Sequence, residues 1–221
     1  MKGLKDSYFH QGLRSKLIST LRQKGIRDER ILSAFMHIPR HFFLDSAFAK
    51  WAYTDVAFPI DSDQTISQPY TVATQTDLLQ ITGKEKVLEI GTGSGFQASV
   101  LAYLGAKVYT IERQEKLFHK TNKLLQLLGF GRIRTLLGDG YKGSPRFAPF
   151  DRILVTCGAP FVPQDLLDQL KIGGIMVVPV GAGDVQRMVR ITKKSPTEYN
   201  KEDFGAFKFV PFLEGINKLK L

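Results

Sequence analysis

The stretch Lys86–Ala102, KVLEIGTGSGFQASVLA, constrains this chain more than any other. Val87, Leu88 and Ile90 form an apolar run of strand length. It leads into Gly91, Gly93 and Gly95, and then into a helical run, Phe96–Leu104. A second strand, Lys107–Ile111, ends at Glu112, 21 residues after Gly91. Strand, glycine turn, helix, strand and carboxylate form a frame for an adenosine-containing cofactor. Glycines let the backbone approach the ligand, and a carboxylate after the next strand accepts hydrogen bonds from ribose hydroxyls.

The glycine spacing narrows the choice of cofactor. The dinucleotide fingerprint G-x-G-x-x-G needs its third glycine one position later than Gly95, where this chain has Phe96. The loop has no lysine followed by Ser or Thr, so it is not a P-loop. G-x-G-x-G after Leu88, Glu89 and Ile90 resembles the first motif of Rossmann-like S-adenosylmethionine methyltransferases. A third strand, Ile133–Leu137, runs into Gly138, Asp139 and Gly140. An Asp at that point either forms a ligand-free Asp-Gly turn or accepts from an adenine amino group.

With 221 residues the chain holds one good core, so a single domain with additions is expected. Its expected parts are a mainly helical N-terminal cover over 1–80, a cofactor-binding core over 84–182 and C-terminal strands over 185–221. The opening residues carry no apolar run of the signal-peptide kind, and no stretch has the apolar length of a membrane span. One cysteine, Cys157, forms no internal disulfide and fits a reducing cytoplasm. His10, His37, His41 and His119 show no metal-ligand spacing, and no metal site is expected. The net charge of +10 admits nucleic acid or acidic substrates as partners. The basic residues are dispersed, without aromatic interleaving, and read as solubility and mild steering.

Periodicity places helices through Leu13–Leu21 (stopped by Gly25), after Asp28 (stopped by Pro39), near Asp45–Trp51 and from Pro69 to about Leu79. Tyr53–Gln68 reads as irregular or extended. Strands and helices then alternate: Gln114–Leu128, Ile133–Leu137, Arg152–Thr156, Pro163–Leu170 and Ile175–Val180 come after the elements above. This pattern implies an α/β fold, a Rossmann-like doubly wound, mostly parallel sheet. Met188–Thr192 and Phe207–Leu213 are expected as antiparallel edge strands.

The acceptor is a separate question. Amine-methylating enzymes often carry N-P-P-Y or D-P-P-Y after the fourth strand, where this chain has TCGAPF (Thr156–Phe161). A cysteine nucleophile at Cys157 would suit a base-modifying enzyme, but its neighbours lack the Pro-Cys pattern, and a small buried cysteine is usually packing. A carboxylate acceptor is already ionised at neutral pH and needs positioning more than base catalysis.

Several segments together resemble protein-L-isoaspartate O-methyltransferases. They are IPRHFFL (Ile38–Leu44), YTD (Tyr53–Asp55), QTISQPY (Gln64–Tyr70), Val87–Leu101, GDG (Gly138–Gly140), APFD (Ala148–Asp151), Gly173 and Gly174 with VPVG (Val178–Gly181), and FVP (Phe209–Pro211). The resemblance runs from about residue 12 to the end, and TISQP is its most discriminating part. It implies methyl transfer from S-adenosyl-L-methionine to the free α-carboxylate of isoaspartyl residues, with S-adenosyl-L-homocysteine as product. The implied partners are isoaspartyl proteins and peptides, with no nucleic acid and no membrane, for a monomeric cytoplasmic enzyme.

By the same resemblance Ser67 is the catalytic-site residue that orients the carboxylate; its bland alternative is a cap for the helix begun by Pro69. Thr65, Ile66 and Ser67 would lie beside the cofactor, and Gly91, Thr92, Gly93 and Ser94 along its methionine part. Glu112 would bind ribose, while Asp139 and Gly140 contact adenine. Glu89, Gln97 and Arg113 are further cofactor neighbours. Phe209 and Val210 would join Ser67 in holding the substrate peptide. Lys208 stands where arginine commonly precedes F-V-P, and Phe96 replaces a common tyrosine. The competing readings are an RNA-modifying methyltransferase using Cys157, a nicotinamide dehydrogenase suggested by Tyr103-x-x-x-Lys107, and an inert isoaspartyl-binding homologue.

Overall fold

A strand followed by a helix and a second parallel strand must bring the chain back to the same end of the sheet, and does so right-handedly. The computed structural model, which describes residues 5–219, has this organisation around β3 (Lys86–Ile90), α4 (Phe96–Tyr103), β4 (Lys107–Glu112), α5 (Glu115–Leu127) and β5 (Arg134–Leu137). The chain then crosses to the other side of β3 for β6 (Phe150–Val155), α6 (Gln164–Asp168) and β7 (Leu170–Val180). β8 (Gln186–Lys193) and β9 (Tyr199–Phe207) complete a seven-stranded sheet of order β5-β4-β3-β6-β7-β8-β9. β5 to β7 pair in parallel, and β8 and β9 antiparallel. The strand order reverses between β3 and β6, which opens a crevice at their carboxyl ends.

Side chains alternate across a strand, and here both faces are covered. Val87, Val108, Leu154 and Val177 point into one buried cluster, whereas Leu88, Tyr109, Ile153 and Met176 point into the other. The first cluster takes in the N-terminal helices α1 (Tyr8–Gln23), α2 (Glu29–His37) and α3 (Pro69–Leu78). Asp28 caps α2 by accepting the Arg30 N–H at 2.8 Å. The segment expected to be irregular contains a two-residue ribbon, β1 (Phe58–Pro59) paired with β2 (Thr65–Ile66). Among the described residues no helix is long and apolar enough to cross a membrane.

The last strand is displaced from its expected place. It spans Tyr199–Phe207, not Phe207–Leu213. The turn after β8 sets Tyr199 opposite Lys193, so Phe207 has already reached Gln186, where β8 begins. Beyond it there is no partner strand. The Phe209 N–H is taken by the Gln186 side chain at 3.0 Å, and Pro211 has no N–H to offer. Residues 208–213 therefore leave the edge and cross the carboxyl end of the sheet. There Gly158 donates to the Val210 carbonyl at 2.8 Å and Phe212 donates to that of Gly158 at 2.9 Å.

Candidate active site

The crevice is a cavity walled by the ends of β3, β4 and β6, by the Gln64–Ser67 segment and by Val210–Leu213. Its backbone floor is built where side chains do not fit. A Cβ on Gly91, whose φ is +93°, would stand 2.6 Å from Thr156 Oγ1. A Cβ on Gly140 would stand 2.5 Å from Ile90 Cγ2 and 2.8 Å from Phe212 Cε2. Both contacts are far inside van der Waals range, so only bare α-carbons fit there. Thr156 locks the floor, its one hydroxyl proton shared between the carbonyls of Ile90 and Gly91, each at 2.8 Å.

Glu112 lines the cavity from the end of β4. Its carboxylate accepts the N–H groups of Gly93 at 2.8 Å and Gln114 at 2.9 Å. Burial pushes this carboxyl above its ordinary range, and those backbone donors oppose the shift. A carboxylate has about four acceptor sites, so two remain for hydroxyl donors. Glu89 lies behind the wall, completely buried, and one of its oxygens accepts from Thr110. Thr110 is in turn bonded to Thr92. Burial lifts the Glu89 carboxyl to about 8, against the Thr110 hydrogen bond, and the charge of Glu112 adds to the rise. Its second oxygen has no partner.

Gln97 lines the cavity too; it donates to Thr76 at 3.0 Å and keeps an unpartnered buried oxygen. Arg113 lines the rim, where its guanidinium donates to the carbonyls of Gly215 and Glu214. The Glu112 carboxyl on the wall and a guanidinium already engaged suit a cofactor carrying a cationic sulfonium. They oppose a pyrophosphate, which needs free donors and positive charge. The bare glycine floor, the carboxylate at the end of β4 and the open acceptor on Gln97 fit S-adenosylmethionine.

The cavity takes in most of the residues singled out from the sequence: Thr65, Ile66, Ser67, Gly91, Thr92, Gly93, Ser94, Gln97, Glu112, Arg113, Gly140 and Val210. Asp139 stands apart from them. Its carboxylate accepts the N–H of Tyr141 and that of Gly215, both at 3.0 Å, so it shapes the Gly140 turn and ties down the C-terminal segment. Ser67 is not a helix cap: α3 is entered through Gln68, without a side-chain cap bond. Phe209 lies in a second cleft, with Lys208, Phe207, Phe204 and Tyr70. Thr65, Ser67, Thr156 and Val210 belong to both hollows, which therefore meet along these four residues, Ser67 among them.

The sequence reading gave no role to Thr156 or Phe212, and named Gln64 and Pro211 only within the segments QTISQPY and FVP; all four line the cavity. Thr156 directly follows β6, across the order reversal from β3, where ligands of open α/β sheets sit, a position that only the strand pairing reveals. Cys157 also lines the cavity, but burial raises its thiol above the usual range, which opposes a thiolate nucleophile there. Asp6, His10 and His41 approach one another within 4.8 Å. Asp6 is held by both terminal nitrogens of Arg14, and the two imidazoles stack 3.9 Å apart with planes 10° from parallel. Stacked rings aim their in-plane lone pairs side by side, so this cluster does not converge on an ion.

A mostly parallel Rossmann-like sheet, whose reversal point holds a glycine-floored, acid-walled cavity, defines the class of S-adenosylmethionine-dependent methyltransferases. Residues 12–217 match the family described as Protein-L-isoaspartate(D-aspartate) O-methyltransferase (PCMT), and the chain belongs to it. It is 58% identical over 214 residues to the protein-L-isoaspartate O-methyltransferase of Christiangramia forsetii, covering 97% of this chain and 100% of that one. The Flavobacterium johnsoniae enzyme of the same name is 56% identical, again over 97% and 100% of the two chains. A solved protein-L-isoaspartate O-methyltransferase superposes with a TM-score of 0.82 at 30% identity; the match covers 90% of this chain and 65% of that longer one. A Plasmodium falciparum structure, described as a beta-aspartate methyltransferase in complex with S-adenosyl-L-homocysteine, gives 0.76 at 20% identity over 90% and 97%, and supports the fold.

Proposed function

We propose that this chain transfers the methyl group of S-adenosyl-L-methionine to the free α-carboxylate of L-isoaspartyl residues in damaged proteins and peptides. The observation that carries the reading is the meeting of two hollows at Ser67, one suited to the cofactor and one open to a peptide. S-adenosyl-L-methionine supplies an electrophilic methyl group and leaves as S-adenosyl-L-homocysteine. An α-carboxylate is ionised at neutral pH, so the protein need not remove a proton; it must hold the oxygen in line.

Each wall then has a task. The Ser67 hydroxyl donates to one carboxylate oxygen and leaves the other free to attack. Thr65, Ile66 and the Gly91–Ser94 turn would hold the methionine part of the cofactor, Glu112 would accept from the ribose, and Gly140 would leave room for adenine. Gln97 and Arg113 complete the wall, while Glu89 and Asp139 brace it from behind. Phe209 and Val210 hold the peptide in a cleft lined by Phe204, Phe207, Tyr70 and Lys208, with one basic side chain where a nucleic-acid site would carry several. The methyl ester then loses methanol as the following backbone nitrogen closes a succinimide, and hydrolysis returns part of it to aspartate. The single buried thiol suits a reducing cytoplasm.

Mass spectrometry of an isoaspartyl peptide incubated with the chain and cofactor tests the proposal. Methyl ester followed by succinimide is expected. A peptide that remains unmodified would refute it.

A further inference from the structure

Arg40 is buried with 1% of its surface exposed, yet it has no carboxylate partner within salt-bridge distance among the described residues. Such burial is costly unless the group is hydrogen-bonded to something that needs it. Its Nε donates to the Ala52 carbonyl and its Nη2 to the Ser67 carbonyl, each at 2.9 Å. The guanidinium carbon sits 5.1 Å from the centre of the Phe96 ring, which belongs to the cavity wall. Nη1 has no partner. Burial brings this guanidinium down to about 9 against the opposing charge of Asp55, and it remains a cation at neutral pH.

The other side of the same segment is held independently. The Asp55 carboxylate accepts the Tyr70 N–H at 2.7 Å and the Gln68 side-chain amide at 3.0 Å, and is paired with Lys24. Ser67 thus lies between two anchors. Asp55 fixes Gln68 and Tyr70 on its C-terminal side, and Arg40 fixes the Ser67 carbonyl to the loop at Ala52 and to the ring of Phe96.

We propose that Arg40 is a positioning residue for methyl transfer, a two-carbonyl clamp that sets the backbone of Ser67 relative to the Phe96 wall of the cofactor cavity. This deepens the proposed function and rests on it. The planar fork is essential to the role, because a lysine ammonium at the end of a single stem does not span both carbonyls in fixed geometry. The unpaired cation behind Ser67 also favours an incoming carboxylate over a neutral group.

The test compares the parent chain with Arg40→Lys and Arg40→Met, reading kcat and KM for an isoaspartyl peptide and the Kd for S-adenosyl-L-homocysteine. A displacement of Ser67 by a fraction of an ångström should lower kcat roughly ten- to hundredfold in Arg40→Lys, with Kd changed by less than about threefold. Parent-like kcat in Arg40→Lys would overturn the clamp, as would loss of cofactor affinity in step with kcat. If neither variant folds, nitrogen-15 spectra of the parent chain decide, with the Arg40 side-chain signals assigned through the Phe96 ring. They should shift when the peptide joins the homocysteine complex, and unchanged signals would overturn the proposal. The two readings separate cleanly. A parent chain that transfers no methyl group refutes the proposed function, whereas a fully active Arg40→Lys refutes the clamp alone.

Discussion

Gly91→Ala perturbs the cavity floor in a way that can be worked out from its neighbours. Its φ of +93° is a conformation that L side chains rarely adopt, at a cost of roughly 1–2 kcal/mol. The added methyl would also stand 2.6 Å from Thr156 Oγ1, so Thr156 must turn away. Turning removes its shared hydrogen bond to Ile90 and Gly91, about 0.5–1.5 kcal/mol. The total is roughly 1.5–3.5 kcal/mol. Thr156→Ala alone loses the same bond, about 0.5–1.5 kcal/mol. In the double variant it has already gone, and Thr156 Cβ, 3.9 Å from the new methyl, is in ordinary contact. The double variant should therefore be about as stable as Gly91→Ala by itself, a coupling of roughly 0.5–1.5 kcal/mol between neighbouring sites. Urea unfolding of the four proteins measures it. Costs that add to within about 0.5 kcal/mol would refute the reasoning that Thr156 and Gly91 share one contact.

Four further outcomes are expected. Ser67→Ala should lower kcat/KM for an isoaspartyl peptide by roughly tenfold or more through loss of one oriented hydrogen bond, with its urea midpoint unchanged; unchanged kinetics would remove Ser67 from the mechanism. Glu112→Gln should weaken S-adenosyl-L-homocysteine binding by about tenfold in calorimetry, since it removes a charge-assisted acceptor, and parent-like affinity would count against a ribose contact. Cys157→Ala should retain turnover within about threefold, because a protonated packing thiol contributes only volume; loss of methyl transfer would revive the nucleophile. The Glu89 carboxyl is raised to about 8 in the folded state, from 4.5 for the free group, so between those values the folded protein holds the extra proton. Stability is then lost as pH rises through that window. Glu89→Gln should abolish this loss, and its melting temperature should gain on the parent from about pH 5 to about pH 8.5.

The parallel core was legible because its signals are local. Lys86–Ile90 is a strand with the boundaries expected, and the Gly91–Gly95 turn sits where the next helix begins. Asp28 capping and the break at Pro39 were likewise written in neighbouring residues. The tail was not, because its course depends on partners far away in sequence. The β8 register exhausts the pairing at Phe207, and Gln186 and Gly158 then capture the backbone of Phe209 to Phe212. The periodicity of KFVPFL alone could not show that. Asp139 was singled out by its turn motif, yet its carboxylate is engaged by Tyr141 and Gly215, the latter 76 positions along the chain. Thr156 was overlooked because a threonine after a strand carries no motif, and its importance appears only when β6 lies beside β3. Arg40 sits inside a recognised motif, but its bonds to Ala52 and Ser67 exist only once the N-terminal segments fold over the cavity.

The central claim is that the cofactor cavity and the peptide cleft meet at Ser67 to select an isoaspartyl carboxylate. Methyl-labelled S-adenosyl-L-methionine offered with two peptides, identical except for isoaspartyl or aspartyl at one position, tests it most directly. Label should enter the isoaspartyl peptide as a base-labile ester and not its aspartyl twin. Equal labelling of both peptides, or of neither, would contradict the account.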